Sequence, residues 1–214
     1  MLRAIIFDMD GTICDSFPLM IRSLRESIEP IVGHPVSDED FMEALGPNEK
    51  GIITNMLGDR YEKAAKRYDT LYETYLPEMC PSPFHGIGEI FEYLKQKNMK
   101  TALVTGKNKT SCDITLRQFG MENAFDAVEY GSPVGSRKKE AIGIVLDKFG
   151  ICPKEALYLG DAPSDTVFSH ELGLQAAAAL WAPSTNVEET LAAGPDIVCR
   201  TPADFLRFLK ETLG

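Results

Sequence analysis

The chain has 214 residues, 44% of them hydrophobic and 25% charged, which is ordinary usage for a globular protein with a substantial buried core. Its formal net charge of -10 argues against a nucleic-acid partner, because phosphate backbones need clustered Lys and Arg. No apolar stretch approaches the roughly 18 residues of a membrane span, so no membrane partner is expected.

In chain order, LRAIIFD at 2–8 is the first of several short apolar runs, and it meets carboxylates at once, unlike a secretory leader. A cytoplasmic location is therefore expected. Next comes a stretch, residues 16–80, with no convincing strand but amphipathic helical patterns such as FPLMIRSLRESI and YEKAAKRYDTLYETYL. Pro30, Gly33, Pro35, Gly46, Pro47 and Gly58 punctuate it. So long a segment exceeds a plain connection between two strands. It predicts an inserted all-helical cap at 16–80, joined to a core of 1–15 and 81–214 near 13–16 and at 80–85, where CPSP supplies a stiff link. The aromatic stripe of its last helix reads as internal packing rather than a partner surface.

Beyond the insert the apolar runs resume at 100–105, 124–130, 155–161, 174–181 and 195–199. Helical periodicity fits 86–98, 108–119, 138–149, 163–172, 186–193 and 202–212. Runs of this length suit fully buried parallel strands, and their alternation with helices predicts an α/β fold with a doubly wound, Rossmann-like parallel sheet. Five scattered cysteines, Cys14, Cys80, Cys112, Cys152 and Cys199, form no CxxC pair, which argues against a zinc site or a disulfide framework.

Four segments carry chemistry. In FDMDGT at 7–12, Asp8 and Asp10 stand two apart at a strand end, where side chains emerge on one face and where open α/β sheets bind ligands. One carboxylate can serve as nucleophile and the other as general acid and base. Gly11 permits a sharp turn, and Thr12 can cap the segment after it or hold a phosphate oxygen. In VTGK at 104–107, the Thr105 hydroxyl and the Gly106 amide could bind a phosphoryl group, although for the segment taken alone a plain turn with a surface lysine is the better reading. GSRKKEAI at 135–142 offers a lysine at a helix start to balance phosphoryl charge. LGDAPSD at 159–165 places Asp161 at a strand end and Asp165 one helical turn on, oxygen ligands of the kind Mg2+ takes beside a phosphate.

Taken in order with a helical insert after the first, FDMDGT, VTGK, Lys138 and GDAPSD resemble the motifs of the haloacid dehalogenase superfamily, in particular its phosphoglycolate-phosphatase-type branch. HGIGEIFEYLKQKN and the region from GDAPSD to Trp181 extend the resemblance over nearly the whole chain. It implies a Mg2+-dependent phosphatase of a small phosphorylated metabolite. Asp8 would be nucleophile and metal ligand, while Asp10 would be acid and base with its backbone carbonyl on the metal. Thr105, Gly106 and Lys138 would bind phosphate; Asp161 would hold the metal, and Asp165 would support it directly or through water.

The chain departs from the family's pattern in two places. Gly106 stands where Asn is usual, and Lys138-Lys139 replaces Lys-Pro. Lys138 and Lys139 therefore compete, and the spacing to Gly150 favours Lys138. A phosphomutase on the same scaffold is the alternative within enzymes, and a phosphoacceptor signalling module the alternative outside them. Either a monomer or a homodimer is compatible with the sequence.

Overall fold

Six strands, β1 (Ala4–Phe7), β2 (Lys100–Val104), β3 (Ala127–Glu129), β4 (Ala156–Gly160), β5 (Gln175–Ala179) and β6 (Ile197–Cys199), form one sheet in a computed structural model of the protein. All pairs are parallel, in the order β3-β2-β1-β4-β5-β6. The structure describes residues 1–44 and 48–214, with the backbone alone at 38, 42 and 43; Gly46 and Pro47, two of the expected breakers, lie outside the described residues.

Ten α-helices accompany the sheet among the described residues. Those between β1 and β2 are α1 (Phe17–Val32), α2 (Asp38–Glu43), α3 (Glu49–Leu57), α4 (Tyr61–Met79) and α5 (Ile87–Gln96). The remainder are α6 (Lys109–Phe119), α7 (Lys138–Phe149), α8 (Pro163–Leu172), α9 (Val187–Ala192) and α10 (Pro202–Leu213).

The central strand explains the winding. β1 is apolar at every position and alternate side chains serve opposite faces. Ile5 and Phe7 pack with α5 and α10, where Phe7 stacks on Phe91 at 4.9 Å between centroids. Ala4 and Ile6 pack on the other face with Ala141, Ile142, Val145 and Leu146 of α7. A strand buried on both sides shows no polar alternation, which is why its sequence reads as a continuous apolar run.

Helices α1 to α4 fill the long segment after β1, with no strand among the described residues there. Leu19, Leu24 and Ile28 of α1 meet Tyr68, Tyr72 and Leu76 of α4 in a core continuous with that of the α5 face. Pro30 does not end α1 as its residue type suggests; the helix runs on to Val32 and closes at Gly33. A helical proline frees the carbonyl four residues earlier. Here that carbonyl, Glu26 O, accepts from Arg67 Nε of α4 at 3.0 Å, so the lost bond is replaced from outside the helix. The two connecting segments run side by side, with Phe84 N donating to Ile13 O at 2.9 Å.

Candidate active site

β1 pairs with β2 and β4 so that Phe7 sits level with Leu103 and Leu159. The three strands therefore end together, and the residues that follow them, Asp8, Thr105 and Asp161, emerge at one edge of the sheet. The strand order changes direction at β1 and β4, where open α/β sheets form their ligand crevice.

Asp8 is buried, accepting from Lys138 Nζ at 2.8 Å and from the Met9 amide at 2.7 Å. The same ammonium lies 2.5 Å from Asp165 Oδ1, whose other oxygen accepts from the Ala162 amide at 3.1 Å and so caps α8. Asp161 accepts from Thr185 Oγ1 at 3.1 Å. Carboxylate oxygens of Asp8, Asp161 and Asp165 all lie within 4.8 Å of one another.

Three carboxylates share one ammonium here. Burial, then the charges of Asp8 and Asp165, push the Asp161 carboxyl up to about 8. Burial also raises Asp8, although Lys138 draws it back. Burial works against charge on Lys138 too, but Asp165 and Asp8 outweigh it and hold the ammonium well above its ordinary range. A buried cluster with this surplus of negative charge and converging hard oxygens is the donor set a divalent cation such as Mg2+ requires, and these residues fit it.

Asp10 faces a different partner. Its carboxylate accepts from Ser16 Oγ and lies 3.1 Å from Lys107 Nζ, and it is not one of the three that converge. Burial raises it and Lys107 opposes the shift. Lys107 is no surface lysine: its side chain is fully buried between Asp10 and Glu49, the latter at 3.4 Å. The surface lysine of the plain-turn reading of VTGK is corrected here: Glu49 of α3 and Tyr72 of α4 cover this strand end, where only a paired ammonium could be accommodated. Thr105 is buried and its hydroxyl accepts from the Lys107 amide at 3.1 Å. Gly106 follows β2 in a loop held against the loop after β3, where Gly131 N donates to Lys107 O at 2.8 Å. Thr12 caps no helix, and its buried hydroxyl meets no partner among the described residues; its carbonyl accepts from Trp181 Nε1 at 3.0 Å.

Of the adjacent lysines, Lys138 points into the carboxylates while Lys139 lies outside with Glu171 at 2.8 Å. Ser16, Glu49 and Thr185 carry no sequence pattern that singles them out. They reach the site from the insert and from a loop after β5, with no motif to mark them. Lys107 is visible in VTGK but carries no cue to its burial.

Fold and site together define a parallel α/β protein that gathers aspartates and buried lysines at the ends of its central strands. The family model of haloacid dehalogenase-like hydrolases matches residues 5–179, and the chain belongs to that family. It is similar to the phosphoglycolate phosphatase of Synechococcus elongatus, with 24% identity over 99% of both chains. It is also similar to a phosphorylated carbohydrates phosphatase of Thermotoga maritima, with 26% identity over 99% of this chain and 100% of that one. These relatives place it in the phosphoglycolate-phosphatase-like branch. It shares its fold with CbbY of Rhodobacter sphaeroides in complex with phosphate, at a TM-score of 0.81 and 18% identity over 95% of this chain and 96% of that one.

Proposed function

We propose that this hydrolase is a phosphatase that releases phosphate from a small phosphate monoester through an aspartyl-phosphate on Asp8, with Mg2+ as cofactor. The observation that carries the reading is the Lys138 ammonium held between Asp8 and Asp165 at the strand ends, with Asp10 nearby on a separate lysine. The named relatives act on phosphoglycolate and phosphorylated carbohydrates, which supports an ester of that size.

In this reading an Asp8 oxygen attacks phosphorus while Asp10 gives its proton to the departing ester oxygen. Burial of Asp10 favours the protonated form that this step needs. Asp10 then takes a proton from water, which attacks phosphorus, frees Asp8 and releases inorganic phosphate. Thr105 Oγ1 and the Gly106 amide hold phosphoryl oxygens, and Lys138 turns from Asp8 to balance their charge. Asp8, Asp161, the Asp10 carbonyl and, directly or through water, Asp165 would hold Mg2+, which supplies the charge that lets a dianion approach these carboxylates. Residues 16–80 act as a cap that shields the acyl phosphate from bulk water.

Phosphate release from a panel of small esters with Mg2+ tests the activity, and Asp8→Asn tests the covalent route. Loss of nearly all turnover in a folded Asp8→Asn protein is expected. Turnover within about tenfold of wild type would rule the route out, since the amide at position 8 cannot serve as the attacking group.

A further inference from the structure

Glu49 is a buried carboxylate contributed by the insert to the core. It opens α3, yet its side chain serves another helix. Oε2 accepts from the Asn108 backbone amide at 2.8 Å, at the N-terminus of α6. Oε1 accepts from Ser111 Oγ at 2.8 Å and Tyr68 OH at 3.1 Å, and lies 3.4 Å from Lys107 Nζ. A backbone amide at a helix start, a hydroxyl and an ammonium form an anion-binding position, here filled by the protein's own carboxylate.

That position adjoins the leaving-group side of the site. Lys107 Nζ, which Glu49 pairs, is the cation 3.1 Å from Asp10, the residue read above as donor to the departing oxygen. Lys107 thus already meets two carboxylates, and its charge beside Asp10 is matched by the protein itself. An anionic group on the departing alcohol would have to displace Glu49 or sit unpaired beside it, and like charges brought together out of water are strongly disfavoured.

We infer that Glu49 is a specificity-determining residue, whose carboxylate fills the anion position beside Asp10 and selects esters with an uncharged leaving alcohol. The inference rests on the phosphatase reading above and narrows its substrate class: sugar or polyol monophosphates rather than phosphoglycolate or a bisphosphate.

The test uses two esters that differ in one group, 2-hydroxyethyl phosphate and phosphoglycolate, with the full-length wild-type enzyme and Glu49→Gln. Wild type should favour the uncharged ester in kcat/KM by at least about tenfold, the scale of discrimination that one misplaced charge provides. Glu49→Gln should shrink that ratio severalfold, chiefly through a lower KM for phosphoglycolate, whereas a merely structural role would move both esters alike. Circular dichroism establishes that the variant is folded; if it is not, the wild-type ratio decides alone. Equal or better hydrolysis of phosphoglycolate by wild type, or a ratio unchanged in folded Glu49→Gln, overturns the inference while the phosphatase reading stands. Absence of phosphate release from either ester, and from p-nitrophenyl phosphate, overturns both.

Discussion

The Lys138 ammonium lies 2.8 Å from the Asp8 carboxylate, with both side chains about nine-tenths buried. Lys139, one position on, is rotated about 100° around α7 and reaches only exposed Glu171. Lys138→Ala should therefore lower kcat/KM at least tenfold, about 1.4 kcal/mol of transition-state stabilisation. It should also reduce stability, because two buried carboxylates lose their counter-charge. Lys139→Ala should change neither, its ion pair being exposed. Steady-state kinetics and thermal denaturation of both variants decide the ranking, and the reverse order would move the phosphate-binding role to Lys139.

The sheet was legible because its central strands, β1, β2, β4 and β5, are buried on both faces, so each appears as a short apolar run with a helix on either side. LGDAPSD was legible for a local reason, since Pro163 at the helix start and Asp165 capping the first turn are signals written within a few residues. Lys107 and Glu49 were not. A lysine after a strand-end glycine usually lies in solvent, and Glu49 sits among many acidic residues. Only the docking of α3 and α4 over α6 makes this pair a buried one, and that docking joins residues 49 and 107 across distant chain. Pro30 misled for a similar reason, its compensating donor being Arg67 on another helix.

The carboxylate cluster makes stability depend on pH and metal together. Asp161 rises from 3.8 when unfolded to about 8 when folded without metal. A raised carboxyl stabilises the fold where it stays protonated, and that contribution is lost as pH rises towards about 8. In EDTA, melting temperature should fall between pH 6 and 8 with a free-energy slope of at most about 1.4 kcal/mol per pH unit, and Asp161→Asn should flatten the slope. Saturating Mg2+ should raise the melting temperature most at the high-pH end, because metal binding must displace the Asp161 proton below it. EDTA should also abolish phosphate release and Mg2+ restore it. Full activity after exhaustive chelation, or a pH slope unchanged in Asp161→Asn, would refute this account.

Attachment of the insert to the core has its own probe. Tyr72 OH of α4 lies 2.8 Å from Thr115 Oγ1 of α6, both side chains buried. Thr115 also donates to Ser111 O at 2.8 Å, so Tyr72→Phe removes one partner without orphaning the hydroxyl that remains. Its cost should be at the modest end for a buried hydrogen bond, about 1 kcal/mol. Urea denaturation should show a lower midpoint at an unchanged slope. A loss beyond about 3 kcal/mol would mean that the tyrosine hydroxyl anchors the insert by more than this bond.

Two glycines with nearly the same φ separate the effect of strain from the effect of crowding. Gly11 has φ 76° and Gly33 has φ 83°, both in the left-handed region, so a methyl group at either should cost about 1–2 kcal/mol of backbone energy. Around Gly33, at the end of α1, nothing lies within 4 Å of an added Cβ. At Gly11 that Cβ would fall 2.1 Å from Asp161 Oδ2 and 2.4 Å from its Cγ, which no contact between atoms tolerates. Asp161 cannot yield without cost, because Thr185 holds its carboxylate and Thr190 Oγ1 donates to its backbone carbonyl at 2.8 Å. Gly11→Ala should therefore displace the carboxylate from the group it forms with Asp8 and Asp165, lowering kcat/KM by about a hundredfold or more, on the scale of a misplaced catalytic element. It should also raise the Mg2+ concentration needed for half-maximal activity. Gly33→Ala should show a similar backbone penalty in thermal denaturation with kcat/KM and Mg2+ dependence unchanged. Parallel effects of the two substitutions on activity would mean that left-handed strain, rather than the contact with Asp161, is what Gly11 relieves.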